Sequence, residues 1–114
     1  MHELTLAESL IQIVEHAAEE QQAPRVKTVF VEIGRLSQVD VDALTFAFDV
    51  VSRGGRAVGA ELRIIPVEGV GVCEDCQATV AMDASVSPCP RCGSYRLRVV
   101  AGQEMRVKGI AIDA

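Results

Sequence analysis

Four cysteines stand as two pairs, Cys73-x-x-Cys76 and Cys89-x-x-Cys92, with twelve residues between the pairs. Two C-x-x-C turns set side by side supply four thiolates at the corners of a tetrahedron, the donor set that zinc takes in structural sites. The gap is long enough for a small hairpin. The second pair reads Cys89-Pro90-Arg91-Cys92-Gly93, where Gly93 relieves a tight turn whose backbone N–H groups can donate to the sulfurs. The only histidines are His2 and His16, far along the chain, so the local set is all sulfur. A closed four-sulfur site leaves no coordination position for substrate and is structural. Four thiolates and one zinc move the formal charge from −5 to −7, and Arg91, Arg96 and Arg98 are near enough in sequence to offset part of this. Two disulfides, an unligated thiol set, a redox C-x-x-C and a rubredoxin-like iron site are the competing readings. The N-terminus has no basic stretch followed by an apolar run, which argues against a secreted, disulfide-bonded protein. Neither pair opens a helix in a βαβ context, as a thioredoxin-like pair does.

The other chemically suggestive stretch is the beginning, Met1-His2-Glu3. The Met1 amine, the His2 amide nitrogen and the His2 imidazole can chelate one ion through fused five- and six-membered rings. Ionising a backbone amide takes nickel(II) or copper(II), and the resulting site is square-planar. The amine titrates near about 8 and imidazole near about 6.5, so binding weakens on mild acidification. Three donors leave a fourth position for Glu3, another residue, water or a partner. A site of that kind suits handing a metal on. The competing reading of His2 is an ordinary surface residue.

These residues need elements to hold them. Thr5-Leu6-Ala7-Glu8 has the capping-box pattern, and Leu10, Ile11, Val14, Ala17 and Ala18 follow at helical spacing. The pattern predicts a helix over about 6–22, stopped before Pro24, with Met1–Leu4 extended ahead of it. Arg25–Ile33 is rich in β-branched residues and reads as a strand, with Val29, Val31 and Ile33 on one face. A second helix is expected from 37–40 to about Arg53, with Leu44, Ala47, Phe48 and Val51 apolar and Gly54-Gly55 as its stop. Asp40 reads as its N-cap, and equally as an acidic group near the chain's beginning. Glu61–Val67 is a strand whose Pro66 places it at a sheet edge or bulge. Helical periodicity disappears through the cysteine segment, and Met105–Ile112 resumes strand character. The expected fold is α+β: a small mixed sheet of three to four strands with two helices, plus an inserted zinc-ribbon-like subdomain. The expected domains are residues 1–69 and 101–114, and the zinc-binding residues 70–100.

Bulk properties narrow the function classes. At 114 residues the chain supports one modest core, which a metal staple would help. Hydrophobic residues are 49%, which argues against disorder, while aromatics are 4%, so the core is aliphatic. Sixteen acidic against 11 basic residues weaken a nucleic-acid reading, since phosphate binding needs clustered cations. No apolar run reaches transmembrane length. A cytoplasmic chain is expected. His16 lies among Glu15, Glu19 and Glu20 and reads as a solvated face residue.

The opening "MHELTLAESL", the run "VEIGRLSQVDVDALTFAFDVVSRGG", the strand "GAELRI" and the paired C-x-x-C motifs occur in an order that resembles the HypA/HybF family. Its members are nickel-insertion accessory proteins for NiFe-hydrogenase maturation, and in some organisms they also serve urease. The resemblance covers essentially the whole chain. It implies a nickel-binding N-terminus with His2 as principal ligand, assisted by the Met1 amine and nearby backbone nitrogens, with Glu3 as a further candidate. It implies a structural zinc held by Cys73, Cys76, Cys89 and Cys92. The implied partners are a HypB-type GTPase and the hydrogenase large subunit, with urease accessory proteins as further candidates. Some members carry a histidine beside the cysteines that joins the zinc site; here Gly93 follows Cys92 and no such histidine exists.

The expected function is therefore a non-enzymatic nickel metallochaperone, with Zn(II) structural and Ni(II) a transient cargo. No Ser-His-Asp set, spare cysteine or phosphate-binding glycine loop suggests catalysis. Two alternatives compete: a zinc-ribbon module for nucleic acid or a transcription assembly, and a structural zinc adaptor without a second metal.

Overall fold

The structure, a computed structural model, describes residues 2–112. Its elements run α1 (His2–Glu20), β1 (Val26–Gly34), α2 (Val41–Val51), β2 (Glu61–Val67), β3 (Gly69–Cys73), β4 (Thr79–Met82), β5 (Leu97–Ala101) and β6 (Met105–Ile112). Two three-stranded sheets form, in the orders β2-β1-β6 and β4-β3-β5. The first has the edge position for β2 that Pro66 requires. No helix among the described residues is long and apolar enough to cross a membrane.

The first helix departs from expectation at its start. It begins at His2, so residues 2–4 are helical rather than extended, and Thr5 lies inside the helix rather than capping it. Nothing in His2-Glu3-Leu4 breaks a helix, and Glu3 in the first turn suits the positive end of the helix dipole. A tertiary contact holds that turn: the Asp40 N–H donates to Glu3 Oε2 at 3.1 Å. The capping-box spelling was a local signal that this contact overrides. At the other end the Ala23 N–H reaches back to the Ala18 carbonyl (2.9 Å) and the Gln22 N–H to Glu19 (3.0 Å), with Gln22 left-handed at φ 54°. This is the Schellman closure, made with glutamine where glycine is usual. Ala18 and Ala23, the two residues that closure joins, are both buried.

The chain's contacts fall into two compact units. The first comprises residues up to Val31, Val39–Ile65 and Val107 onward. Its core is Ala7, Leu10, Val14 and Ala18 of α1, Val29 and Val31 of β1, and Leu44 and Phe48 of α2, all buried. These are the a/d-like positions of each helix and the inward phase of the strand. Asp40 caps α2, with Oδ1 accepting from the Ala43 N–H at 3.1 Å. The Glu15 carboxylate accepts the Arg56 N–H at 2.8 Å and ties α1 to the loop after α2.

The second unit comprises Glu32–Gln38 and Pro66–Arg106. Its antiparallel ladder pairs Val72 with Thr79 on one side of β3 and with Arg98 on the other. The residues between the two cysteine pairs hold one strand, not a hairpin of their own, because β4 folds back onto β3. The buried apolar groups are few: Ile33, Leu36, Val80 and Met82, together with Cys73 and Cys89. Gly102 sits at φ 96° against the Gly69 backbone, where a Cβ would lie 2.6 Å from Gly69 Cα. Only glycine permits that crossing.

Candidate metal centres

The four sulfurs come together in the second unit. Their ligand atoms all lie within 4.8 Å of one another. Cys73 Sγ is 3.6 Å from Cys92 Sγ, and Cys76 Sγ is 3.8 Å from Cys89 Sγ. A tetrahedron with metal–sulfur bonds of about 2.3 Å has edges of about 3.8 Å, so the donor set fits a zinc-sized ion. The cysteines are free thiols, and these separations far exceed the S–S bond of about 2.05 Å.

The two turns that present the sulfurs are built alike. In the first, the Cys73 N–H donates to the Ala78 carbonyl (2.9 Å) and the Gln77 N–H to the Cys73 carbonyl (2.9 Å). In the second, the Cys89 N–H donates to Ser94 (2.7 Å) and the Gly93 N–H to Cys89 (2.8 Å). Backbone N–H groups also donate to sulfur, as expected of such turns: Cys76 to Cys73 Sγ and Arg91 to Cys89 Sγ, each at 3.4 Å. Gly93 is left-handed at φ 78°, and so is its counterpart Gln77 at φ 66°. Gln77 sustains the left-handed conformation with a side-chain bond to the Glu74 carbonyl at 3.2 Å.

Electrostatics divides the sulfurs in pairs. The Cys76 N–H, with the Asp75 N–H behind it, draws the Cys73 thiol down to about 7. The Cys92 and Arg91 N–H groups likewise lower Cys89. Cys92 has a favourable Ser94 N–H, but the Cys73 sulfur, desolvation and the other two sulfurs push it up to about 12. Cys76 has a favourable Ala78 N–H and is nonetheless raised by burial and by Cys73 and Cys89. Four adjoining thiolates repel one another, and a divalent cation among them removes that conflict.

Of the three arginines near the cluster in sequence, Arg96 forms an ion pair with Asp75. Arg96 Nη1 donates to Asp75 Oδ1 at 2.7 Å, and the Ser94 hydroxyl donates to the same carboxylate. The Arg96 N–H in turn reaches Ser94 Oγ at 3.0 Å. This clamp joins the first cysteine turn to the strand after the second. Asp75 went unnoticed in the sequence, where only its place inside the first C-x-x-C marks it.

At the start of α1 the His2 side chain is exposed (67%), and its Nδ1 lies 3.9 Å from Glu3 Oε2. Met1 lies outside the described residues, so the amine expected to assist His2 does too. Amide N–H groups in the first turn of a helix have no intrahelical acceptor. Glu3 is held below the ordinary carboxylate value, chiefly by the Asp40 N–H. His16 is exposed and sits 3.5 Å from Glu20, as the solvated-face reading expects.

Two helices, two small three-stranded sheets and a zinc-ribbon-like four-cysteine cluster define a small α+β metal-site protein. Residues 1–112 match the HypA family, described as hydrogenase/urease nickel incorporation, metallochaperone, and the chain belongs to that family. It is 45% identical over 113 residues to the hydrogenase maturation factor HypA of Rhodopseudomonas palustris strain BisB5, covering 99% of this chain and 100% of the relative. The hydrogenase maturation factor HypA of Dechloromonas aromatica strain RCB is 48% identical over 113 residues, with the same coverage. The solution structure of the Ni metallochaperone HypA from Helicobacter pylori matches with a TM-score of 0.69 at 27% identity, covering 96% of each chain. A second HypA solution structure matches with a TM-score of 0.70 at 29% identity, covering 98% of this chain and 96% of that one.

Proposed function

We propose that this chain is a nickel metallochaperone that binds Ni(II) at its beginning and delivers it during hydrogenase maturation. His2 is the principal ligand, with the Met1 amine and a backbone nitrogen completing the chelate and Glu3 as the carboxylate beside it. The observation that carries this reading is the position of His2. Its ring is exposed on the first turn of a helix, next to a fixed carboxylate. Amide nitrogens there are free of intrahelical bonds, so a metal that ionises one does not break the helix ladder. Family membership supports nickel as the cargo, because one relative is named a Ni metallochaperone and others hydrogenase maturation factors.

Cys73, Cys76, Cys89 and Cys92 hold a structural zinc, which fixes the two turns relative to one another. On this reading the nickel domain is residues 1–69 and 101–114 and the zinc domain residues 70–100. The protein is not an enzyme and works in the cytoplasm. The partners are a HypB-type GTPase and the hydrogenase large subunit, and urease is a further recipient where it occurs. Nickel binding requires a neutral imidazole and amine, so protons compete with the cargo for the same nitrogens.

Equilibrium dialysis against Ni(II) tests the assignment. The native chain should bind one nickel, and His2→Ala should lose at least tenfold in affinity with zinc content unchanged. Equal nickel affinity in the two chains would refute it.

A further inference from the structure

We propose that the groove between α1 and α2 is a docking site for a basic amphipathic helix of a partner protein. The groove is lined by Glu3, Leu4, Ala43, Phe46, Ala47 and Val50. Glu3 is the one polar side chain among the described residues that line it. Phe46 is 72% exposed, and Leu4 and Val50 are 39% exposed each. A large aromatic left in water in an aromatic-poor chain has no role in the core, which the next-but-one residue Phe48 fills. Apolar side chains at helical spacing facing a shallow trough are the receiving half of helix-in-groove recognition.

Charge selects the occupant. The two helices carry five glutamates and two aspartates, and neither contains Lys or Arg. Asp42 and Asp49 lie four residues before and three after Phe46, so both flank its ring on the helix surface. Arg53 approaches Asp49 at 3.6 Å, but both groups are well exposed and the pair is weak. A second copy of this chain would bring the same acidic face and be repelled, as would an anionic membrane. A helix with apolar anchors edged by Lys or Arg is complementary on both counts.

The groove adjoins the cargo end. Glu3 lines it, and the His2 ring lies 3.9 Å from the Glu3 carboxylate. A helix seated there sits beside the nickel chelate, where a recipient must be. This deepens the nickel-delivery reading and rests on it for the purpose of docking, not for the docking itself.

The test uses a designed 18-residue amidated peptide with leucines on one face and lysines on its flanks, and a matched peptide with glutamates for the lysines. Anisotropy at physiological salt should show binding of the basic peptide only. Amide shift changes should be confined to residues 2–4 and 41–50. Phe46→Ala, which alters an exposed side chain, should weaken binding at least tenfold, and Asp42→Asn with Asp49→Asn at least threefold. Unchanged affinity in Phe46→Ala, or shifts centred on β3–β5, would overturn the proposal. A self-association that Phe46→Ala abolishes would overturn it in favour of a second copy. Nickel titration of Phe46→Ala keeps the two readings separable. A native chain that takes up nickel but not peptide refutes the docking site alone, and one that takes up peptide but not nickel refutes the cargo site alone.

Discussion

The backbone N–H of Asp40 donates to the carboxylate of Glu3 at 3.1 Å, while the Asp40 side chain caps α2 through the Ala43 N–H. One residue thus starts the second helix and fastens the first turn of α1. The Glu3 carboxyl is held below its ordinary value of 4.5, chiefly by that Asp40 N–H. A lowered carboxyl contributes stability that is fully present above its unfolded value and is lost as pH falls through the folded value. Glu3→Gln should therefore be less stable than the native chain at neutral pH, with the difference shrinking in acid. Thermal unfolding of both chains across pH 7 to 3 checks this, and a difference that grows on acidification contradicts it.

The second unit has few buried apolar groups, and two of them are the cysteines Cys73 and Cys89. Zinc removal should therefore release the β4-β3-β5 sheet while leaving α1 and α2 folded, since those helices carry their own core. Hydrogen exchange with and without chelator should show lost protection at 69–101 only. Because capture needs thiolates, the same change should appear as pH falls and protons displace the metal.

Gly93 and Gln77 occupy equivalent left-handed positions in the two cysteine turns. A side chain there costs on the order of 1 kcal/mol. Gly93→Ala should therefore lower stability by about 1 kcal/mol, whereas Gln77→Gly should be neutral or mildly stabilising. Denaturant titration of the zinc-loaded chains reads both.

Phe48 is the largest fully buried side chain among the described residues, on a helix that packs against α1. Truncation to Ala should cost about 3–5 kcal/mol, through lost transfer energy and the cavity left behind. Phe46→Ala, two residues earlier and exposed, should shift stability by less than about 0.5 kcal/mol. Parallel urea melts compare the two.

Elements whose signal is local were legible in the sequence. Glu61–Val67 and Met105–Ile112 carry β-branched runs between turn residues, and both strands have those bounds. Asp40 was readable as a cap because capping is decided within four residues. The meeting of four sulfurs was readable because each C-x-x-C makes its own turn. The start of α1 was not, since the Glu3 to Asp40 contact spans 37 residues. The second sheet was also hidden. Gly69–Cys73 alternates glycine with valine and cysteine, and β4 has only four residues. Such short strands are defined by the ladder they join and by close glycine crossings, not by their own propensity. Asp75 and Arg96, 21 residues apart, left no periodic trace of their pairing.

In the proposed function the Met1 amine grips nickel together with His2. Nickel titration of a chain with two residues added before Met1, followed by absorbance, tests it most directly. The extension should abolish the spectrum of the planar complex while zinc stays at about one per chain. The same spectrum and affinity in the extended chain would contradict it.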